Sequence, residues 1–290
     1  MIAVVAVALL AADPAAWVPR AGGSVVQDAQ GRVTGVDLRS SWVTDADLPE
    51  LAKLPALVSL DLSMTRISDQ GLQRLTPLKS VAELNLYYAE FITDEGMSAV
   101  KAWKNLRRVN LRGTKITDTT LAYLGALPAV ESVDAGFAQI TDNGIELLST
   151  LPKLKELTIG GNKLTDVGLQ AVRLMPGLVY LDVSGSQRTD SGLWQVSVTD
   201  LGLAAIASLK NLRELRMGGT SVTARGLETL RSSLALQQLN LEKAKRIADD
   251  AVPVLIAWKS LKRVDLNGTG VTAKAVAELR QARPDCEVLF

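Results

Sequence analysis

The sequence contains no histidine and a single cysteine, Cys286, among its 290 residues. The absence of histidine removes the commonest general base and the commonest metal ligand. One cysteine cannot form an intramolecular disulfide, and a zinc site built from several Cys and His ligands is excluded. We therefore expect Cys286 to be a small buried hydrophobic residue, and we expect neither a cofactor nor a metal site.

Net charge and aromatic residues are also scarce. Lys and Arg total 32 against 31 Asp and Glu, and this net charge of +1 argues against nucleic acid or an anionic membrane as a partner. Aromatic residues make up only 4% of the chain, so each exposed aromatic side chain is informative. Residues 1–12 are almost wholly apolar but shorter than the roughly 20 residues that a membrane span needs.

We interpret residues 1–12 as the remnant of an export signal, because small residues follow the apolar segment. This interpretation favours an exported, periplasmic or cell-envelope protein over a cytoplasmic one. The alternative is a loosely packed N-terminal segment.

A repeated unit of about 24 residues dominates the rest of the chain. Residues 154–177 read LKELTIGGNKLTDVGLQAVRLMPG, and further copies open at Leu57, Val81, Leu106, Val130, Leu178, Leu212, Leu236 and Leu261. With a first copy from Val33, this pattern predicts ten units over residues 33–284, of which 178–211 is enlarged. We assign residues 13–32 to an N-terminal cap and 285–290 to a C-terminal capping strand.

Each unit encodes a strand followed by a helix. Leu60 and Leu62 alternate with Asp61 at strand spacing, and Thr117-Asp118 is typical of a helix start. One unit cannot bury both its strand face and its helix stripe, whereas stacked units can. The predicted fold is an α/β solenoid with a parallel sheet on a concave face and helices on the convex face. Turn threonines are expected to hydrogen-bond neighbouring backbone: Thr65, Thr114, Thr220 and Thr269.

The pattern LxxLxLxxTxITDxGLxxLxxLPx resembles the leucine-rich repeat family over roughly residues 33–290. The helix start at 140–145 is similar to the cysteine-containing subclass of F-box-type substrate receptors, with Thr at most of the Cys positions. The resemblance implies a horseshoe fold and protein recognition through the concave face. About 32 residues precede the repeats, too few for an F-box-like segment, so a receptor subunit is a remote alternative.

One column of the predicted concave face is rich in Asp and Asn. It reads Asp37, Asp61, Asn85, Asn110, Asp134, Thr158, Asp182, Arg216, Asn240 and Asp265. It indicates either a groove for a basic or hydrogen-bonding partner or a set of soluble fillers of exposed strand positions. Asp134 and Asp182 resemble an acid–base pair only loosely, because a repeated column makes close Asp pairs inevitable. Enzymatic activity is the weakest hypothesis.

Bulkier side chains are predicted in the next outward columns: Tyr87, Tyr88, Arg112, Phe137 and Tyr180. Aromatic and Arg side chains on an exposed sheet are typical interface anchors. The alternative is cross-strand stacking that only stabilises the sheet. Trp103 and Trp258 replace the last Leu of a helix and are expected to fill the core.

The seventh unit departs most from the pattern. A helix start appears twice, at 188–193 and at 198–203, which predicts a protruding loop or extra turn over Trp194–Ser197 and places Arg188 outside the core. We count Trp194 among the candidate contacts. The leading hypothesis is a non-enzymatic scaffold that binds a protein or peptide, and the alternative is a structural or cell-envelope solenoid without one high-affinity partner.

Overall fold

The computed structural model describes residues 14–189 and 192–290, so the predicted export-signal remnant at 1–12 lies outside the described residues. The strands are β1 Ser24–Gln27, β2 Val33–Asp37, β3 Ser59–Asp61, β4 Glu83–Asn85, β5 Arg108–Asn110, β6 Ser132–Asp134, β7 Glu156–Thr158, β8 Leu164–Thr165, β9 Tyr180–Asp182, β10 Ser186–Thr189, β11 Gly192–Ser197, β12 Glu214–Arg216, β13 Gln238–Asn240, β14 Arg263–Asp265 and β15 Glu287–Leu289.

The α-helices alternate with these strands. They are α1 Leu48–Leu51, α2 Asp69–Gln73, α3 Asp94–Met97, α4 Asp118–Gly125, α5 Asp142–Leu148, α6 Asp166–Leu169, α7 Asp200–Ile206, α8 Ala224–Leu230, α9 Val252–Ala257 and α10 Ala273–Ala282. Short 3₁₀ segments cover Val18–Ala21, Ser98–Ala102, Gln170–Leu174 and Asp249–Ala251. No helix in the described ranges is long and apolar enough to cross a membrane.

Twelve of the described strands form one sheet. Its order is β1-β2-β3-β4-β5-β6-β7-β9-β12-β13-β14-β15, with β1 antiparallel to β2 and every later pair parallel. Strand and helix residues of each unit, such as Leu60 and Leu72, are almost completely buried in one continuous core. Each such leucine contributes about 1.5–3 kcal/mol relative to exposure. The predicted α/β solenoid is confirmed.

The turn threonines act as predicted. Thr65 and Thr114 donate their hydroxyls to the carbonyls of Leu62 and Leu111 at 2.7 and 2.6 Å, and Thr220 and Thr269 do the same in their own units. The sixth unit has the fully buried Asn162 at this position. Its Nδ2 donates to the carbonyl of Ala135 in the preceding unit at 2.8 Å, and its Oδ1 accepts from the Ile140 amide at 3.0 Å.

The aspartates of the helix starts join most units to the next. Asp94 accepts from the amide of Thr117 at 3.0 Å and from its hydroxyl at 2.6 Å. The same pair of hydrogen bonds joins Asp45 to Ser68, Asp69 to Thr93, Asp118 to Thr141, Asp142 to Thr165, Asp166 to Thr199, Asp200 to Thr223 and Asp249 to Thr272. The sequence pattern predicts these aspartates only as part of a helix start, and their contact with the next unit was missed.

This contact also explains the glycine of the TDxGL motif. A Cβ built on Gly144 would lie 2.3 Å from Oδ1 of Asp118, and Gly71, Gly96, Gly168, Gly202 and Gly226 face the preceding aspartate in the same way. Alanine takes the place of this glycine in the ninth and tenth units: Ala251 follows Ala224, where no carboxylate is present, and Ala275 follows Asp249, which still bonds Thr272. The fourth unit has Thr120, whose hydroxyl donates to Asp94.

The two helix-end tryptophans and the cysteine are buried, as predicted. Burial raises the pKa of the Cys286 thiol. Arg283, next to Trp258 and Cys286, is 3% exposed. Its guanidinium donates to the carbonyls of Leu255, Trp258 and Leu261 at distances of 2.6 to 3.3 Å. This buried arginine therefore satisfies backbone acceptors at the end of the last helices.

The enlarged seventh unit contains a β-hairpin, and the prediction of a loop or extra turn over Trp194–Ser197 was wrong. β10 pairs antiparallel with β11, and β11 pairs parallel with β8. Val196 is buried, because alternation along β11 turns it toward the core. Arg188 is exposed, as predicted, and only the second helix start begins a helix, α7.

Candidate interaction surface

The Asp and Asn column runs in register across the sheet. Asp37 pairs with Asp61, Asp61 with Asn85, and the pairing continues through every strand to Asp265. Because strand side chains alternate, this third strand position and the first one project from the same face, which we call the open face. The predicted site residues Asp61, Asn85, Asn110, Asp134 and Asp182 are thus brought into one line.

Most side chains of this column also bond their own turn. Asp134 accepts from the amide of Gly136 at 2.9 Å, two residues further on. The same bond is made by Asp37, Asp61, Asn85, Asn110, Asp182, Asn240 and Asp265. Aspartate and asparagine are the residues that make this turn. The composition of the column therefore has a structural cause that the sequence analysis did not foresee.

A groove of about 840 Å³ lies along the open face between β3 and β13. Arg108 and Glu156 form an ion pair of 3.0 Å across the groove floor, above the small side chain of Ser132 on the strand between them. Tyr180 also lines the groove, and the guanidinium of Arg216 lies 5.8 Å from its ring centre. The groove therefore offers charged, amide and aromatic groups to an extended partner.

Asp134 and Asp182 flank Thr158 at the deepest-buried part of the column. Asp182 is 8% exposed and is bonded by the amide and hydroxyl of Ser184. Burial raises the pKa of Asp134, helped by the charge of Asp182 and opposed by the Gly136 amide and by Arg112, whose guanidinium lies 3.8 Å away. Within the described ranges no group of three or more Cys, Asp or Glu residues could hold a metal ion.

One residue of each unit, three positions after the strand, has a left-handed backbone. We call this set the left-handed column: Ser40, Met64, Tyr88, Gly113, Phe137, Gly161, Gly185, Gly219, Lys243 and Gly268. The backbone amides of this column continue the hydrogen bonding between neighbouring units beyond the strands. For example, the Tyr88 N–H donates to the carbonyl of Arg112 at 2.8 Å. The column lies at the edge where the open face meets the loops.

Aromatic rings in this column lie on the glycines of the next unit. Ring atoms of Tyr88 come within 2.9–3.0 Å of where a Cβ on Gly113 would be, and those of Phe137 within 2.8–3.0 Å of one on Gly161. The guanidinium of Arg112 lies 4.5 Å from the Phe137 ring centre. Each ring therefore depends on a neighbouring glycine that leaves room for it.

The five bulky candidates, which we predicted in the next outward columns, occupy three different positions of the repeat. Tyr88 and Phe137 belong to the left-handed column, Tyr87 and Arg112 precede it by one residue, and Tyr180 is the first residue of β9. The rings of Tyr87 and Tyr88 meet edge to face, with their centres 4.6 Å apart. Sequence spacing did not reveal the left-handed turn at Tyr88 and Phe137, and Tyr180 is set apart because it lies on a strand.

Three further apolar side chains, in the turns of the first three units, are exposed and were missed. Trp42 is 88% exposed, Met64 54%, Phe91 48% and Tyr88 39%. We call these four residues the apolar edge. Met64 accepts from the Ser40 hydroxyl, and Arg66 lies 5.9 Å from the Phe91 ring centre. The sequence signal that could have revealed them is an apolar residue within three residues of the left-handed position, because later units have the polar residues Lys115, Gln139 and Lys163 there.

The hairpin of the seventh unit folds back along the same loop edge. Gln187 on β10 donates to the carbonyl of Ala138, next to Phe137, at 2.7 Å. Trp194 pairs with Gln187 across the hairpin and is partly buried. Trp194 therefore belongs to a strand beside the loop edge, and the open face is lined by other residues.

A family model described as "Leucine Rich repeat" matches residues 53–75 and 150–172. Each matched segment falls on the same portion of the repeated unit, and the strands that follow pair in register. The chain has the leucine-rich-repeat fold, and two of its units match the family model.

One solved structure supports the fold. An internalin from Listeria monocytogenes is 19% identical, with a TM-score of 0.60 over 83% of this chain and 69% of that one. An internalin C2 from the same organism is 20% identical over 83% of this chain and 80% of that one, at a TM-score of 0.45. A comparison with curated proteins finds no match.

The leucine-rich repeats of this chain thus contain two kinds of polar and aromatic residue. The helix-start aspartates and the turn Asp and Asn side chains are bonded within the scaffold. The apolar edge and the groove residues on either side of Ser132 are directed outward. The turn Asp and Asn side chains also line the groove, whereas the helix-start aspartates do not.

Proposed function

We propose that this leucine-rich repeat protein is a non-enzymatic scaffold that binds a protein or peptide with the open face and the apolar edge. The observation that carries the proposal is the apolar edge itself. Four large apolar side chains, from 39% to 88% exposed, follow consecutive strands beside a groove of about 840 Å³. Large apolar side chains exposed on neighbouring units favour an interaction site in a soluble protein.

The groove gives the proposed interface its polar part. Asp61, Asn85, Asn110 and Asp134 line it together with Tyr180. Asn85 donates to Asp61 at 2.9 Å, so neighbouring groups hold one another in place before a partner binds. An apolar patch next to preorganised polar groups resembles the core and rim of a standard protein interface, about 800 Å² per partner.

The test compares two sets of substitutions in the full chain. The edge variant carries Trp42→Gln, Met64→Asn, Tyr88→Asn and Phe91→Gln, since asparagine tolerates the left-handed backbone at two of these positions. The control variant carries Val167→Gln, Leu174→Gln and Leu201→Gln, which are 63% to 76% exposed and lie on helices. Both variants remove exposed apolar surface from the chain.

Affinity capture from an extract of the source organism, read by quantitative mass spectrometry, distinguishes them. Proteins captured by the wild type and the control variant should fall about tenfold or more with the edge variant, as expected when interface anchors are truncated. Equal capture by all three proteins would reject the proposed surface. Absence of any specific capture by the wild type would favour the alternative, a structural or cell-envelope solenoid.

A further inference from the structure

A second cavity, of about 440 Å³, lies on the loop edge away from the apolar edge. Its floor is formed by Gly185, Gly218 and Gly219, and Phe137 stands at one side. Lys243 stands at the other side, and the hairpin residues Ser186 and Gln195 form a further wall. We call this cavity the Gly219 pocket.

Gly219 is the exception in the left-handed column. A Cβ added to Gly113, Gly161, Gly185 or Gly268 would meet a side chain of the preceding units, whereas one on Gly219 meets nothing within 4 Å. Residue 185, which corresponds to Tyr88 and Phe137, is itself a glycine and supplies no ring. The place that an aromatic ring occupies elsewhere in the column is therefore open above Gly219.

The walls of the pocket offer the Phe137 ring and three cations to an aromatic group; each cation is also paired with a carboxylate, and Asp182 and Glu242 line the same cavity. The guanidinium of Arg112 already lies 4.5 Å from the Phe137 ring, and Arg216 and Lys243 also line the cavity. Cations near an aromatic face are attracted to its ring electrons, and the edge of Phe137 allows edge-to-face packing. A space of about 150 Å³ holds a benzene molecule, so 440 Å³ accommodates one aromatic side chain and its flanking backbone.

We propose that the Gly219 pocket receives an aromatic side chain of the partner peptide or protein, laid on Gly219 as Tyr88 lies on Gly113 and Phe137 on Gly161. The inference rests on the proposed binding function and names the chemical class of one anchor. The hairpin of the seventh unit then has a role, because its first strand follows Gly185 directly and closes one side of the pocket.

The experiment uses a substitution that fills the pocket without a clash. Gly219→Phe places a ring in the open space. Residue 219 has a φ of 74°, and aromatic residues already adopt this left-handed conformation at Tyr88 and Phe137, with φ of 51° and 53°. Gly31→Phe is the matched control, because Gly31 also has a φ of 74° and nothing within 4 Å, in the turn between β1 and β2. Equal thermal unfolding of the two variants excludes a folding defect.

Random 12-residue peptides displayed on phage are selected on the wild-type chain, and individual synthetic peptides are then measured by fluorescence anisotropy. We expect a recurring Phe, Tyr or Trp, equal Kd for the wild type and Gly31→Phe, and about tenfold weaker binding to Gly219→Phe. Replacing the peptide's aromatic residue by Leu should weaken binding to the wild type but have little effect on binding to Gly219→Phe.

The proposal is overturned if no selected peptide binds the wild type more tightly than Gly219→Phe, or if leucine replaces the aromatic residue without loss. Binding that is lost with the edge variant but unchanged with Gly219→Phe would retain the proposed function and reject the pocket. Loss with neither variant would reject both.

Discussion

The carboxylate of Asp94 accepts two hydrogen bonds from Thr117 of the following unit, one from the amide at 3.0 Å and one from the hydroxyl at 2.6 Å. Hydrogen bonds to an ionised group are shorter and stronger than neutral ones. This Asp–Thr pair of hydrogen bonds recurs between most neighbouring units. It connects the helix starts of successive units, as the sheet hydrogen bonds connect their strands. The helix-start motif therefore encodes contact between units as well as the helix itself.

Gly144→Ala should destabilise the chain by about 1–3 kcal/mol, because its Cβ would lie 2.3 Å from Oδ1 of Asp118. Asp118→Ala should also destabilise it, through loss of the bonds to Thr141. The double variant should lose less than the sum, since the native chain already places Ala251 after Ala224. Urea unfolding followed by circular dichroism measures all three; strictly additive losses would contradict the proposed steric link.

Asn162→Ala should cost about 2–4 kcal/mol of unfolding free energy, because it leaves the Ile140 amide and the Ala135 carbonyl buried without their partner. Thr114→Ala is the matched comparison, since it removes one bond, to Leu111, and other units already have Ala89, Ala138 and Ala244 at this position. We expect a loss of about 1 kcal/mol there. Similar losses in the two variants would show that Asn162 acts only within its own turn.

Asp134→Asn should make the chain more stable near neutral pH. Burial raises the pKa of Asp134 above 3.8, so the folded state holds its proton more strongly and the free energy of unfolding falls as pH rises through that window. Asparagine removes this loss and keeps the acceptor for Gly136, as Asn85 does for Tyr87. The gain should disappear below about pH 3, where the carboxyl is protonated in both states. Unfolding curves across pH measure the difference.

Asp37→Asn provides the opposite case in the same column. The side-chain bonds from Arg39 hold the pKa of Asp37 below 3.8, so its contribution to stability is present above that value and is lost as pH falls through the folded pKa. The Asp37 variant should therefore be less stable than the wild type at neutral pH and equal to it in strong acid. Effects of the same sign in both variants would refute the assigned causes.

Much of the fold could be predicted from particular residues. The spacing of Leu60, Leu62 and Leu72 predicts a strand and a helix that bury one side each, and the structure buries all three. The candidate site was harder to predict, because Tyr88 and Phe137 depend on a left-handed turn and on glycines one unit away. The sequence predicted a loop or extra turn where the structure has strand β11. This strand pairs with β8, about 30 residues earlier in the chain, and no local pattern encodes that pairing.

The sequence by itself determined the solenoid, because a unit of about 24 residues with an apolar strand and an apolar helix stripe can bury both only by stacking on its copies. Only the tertiary structure decided which polar and aromatic residues remain for a partner. Asp94 and Asp134 are both acidic residues of the repeat, yet one bonds the next unit and the other lines the groove. That difference depends on how neighbouring units align, and the alignment exists only in the folded chain.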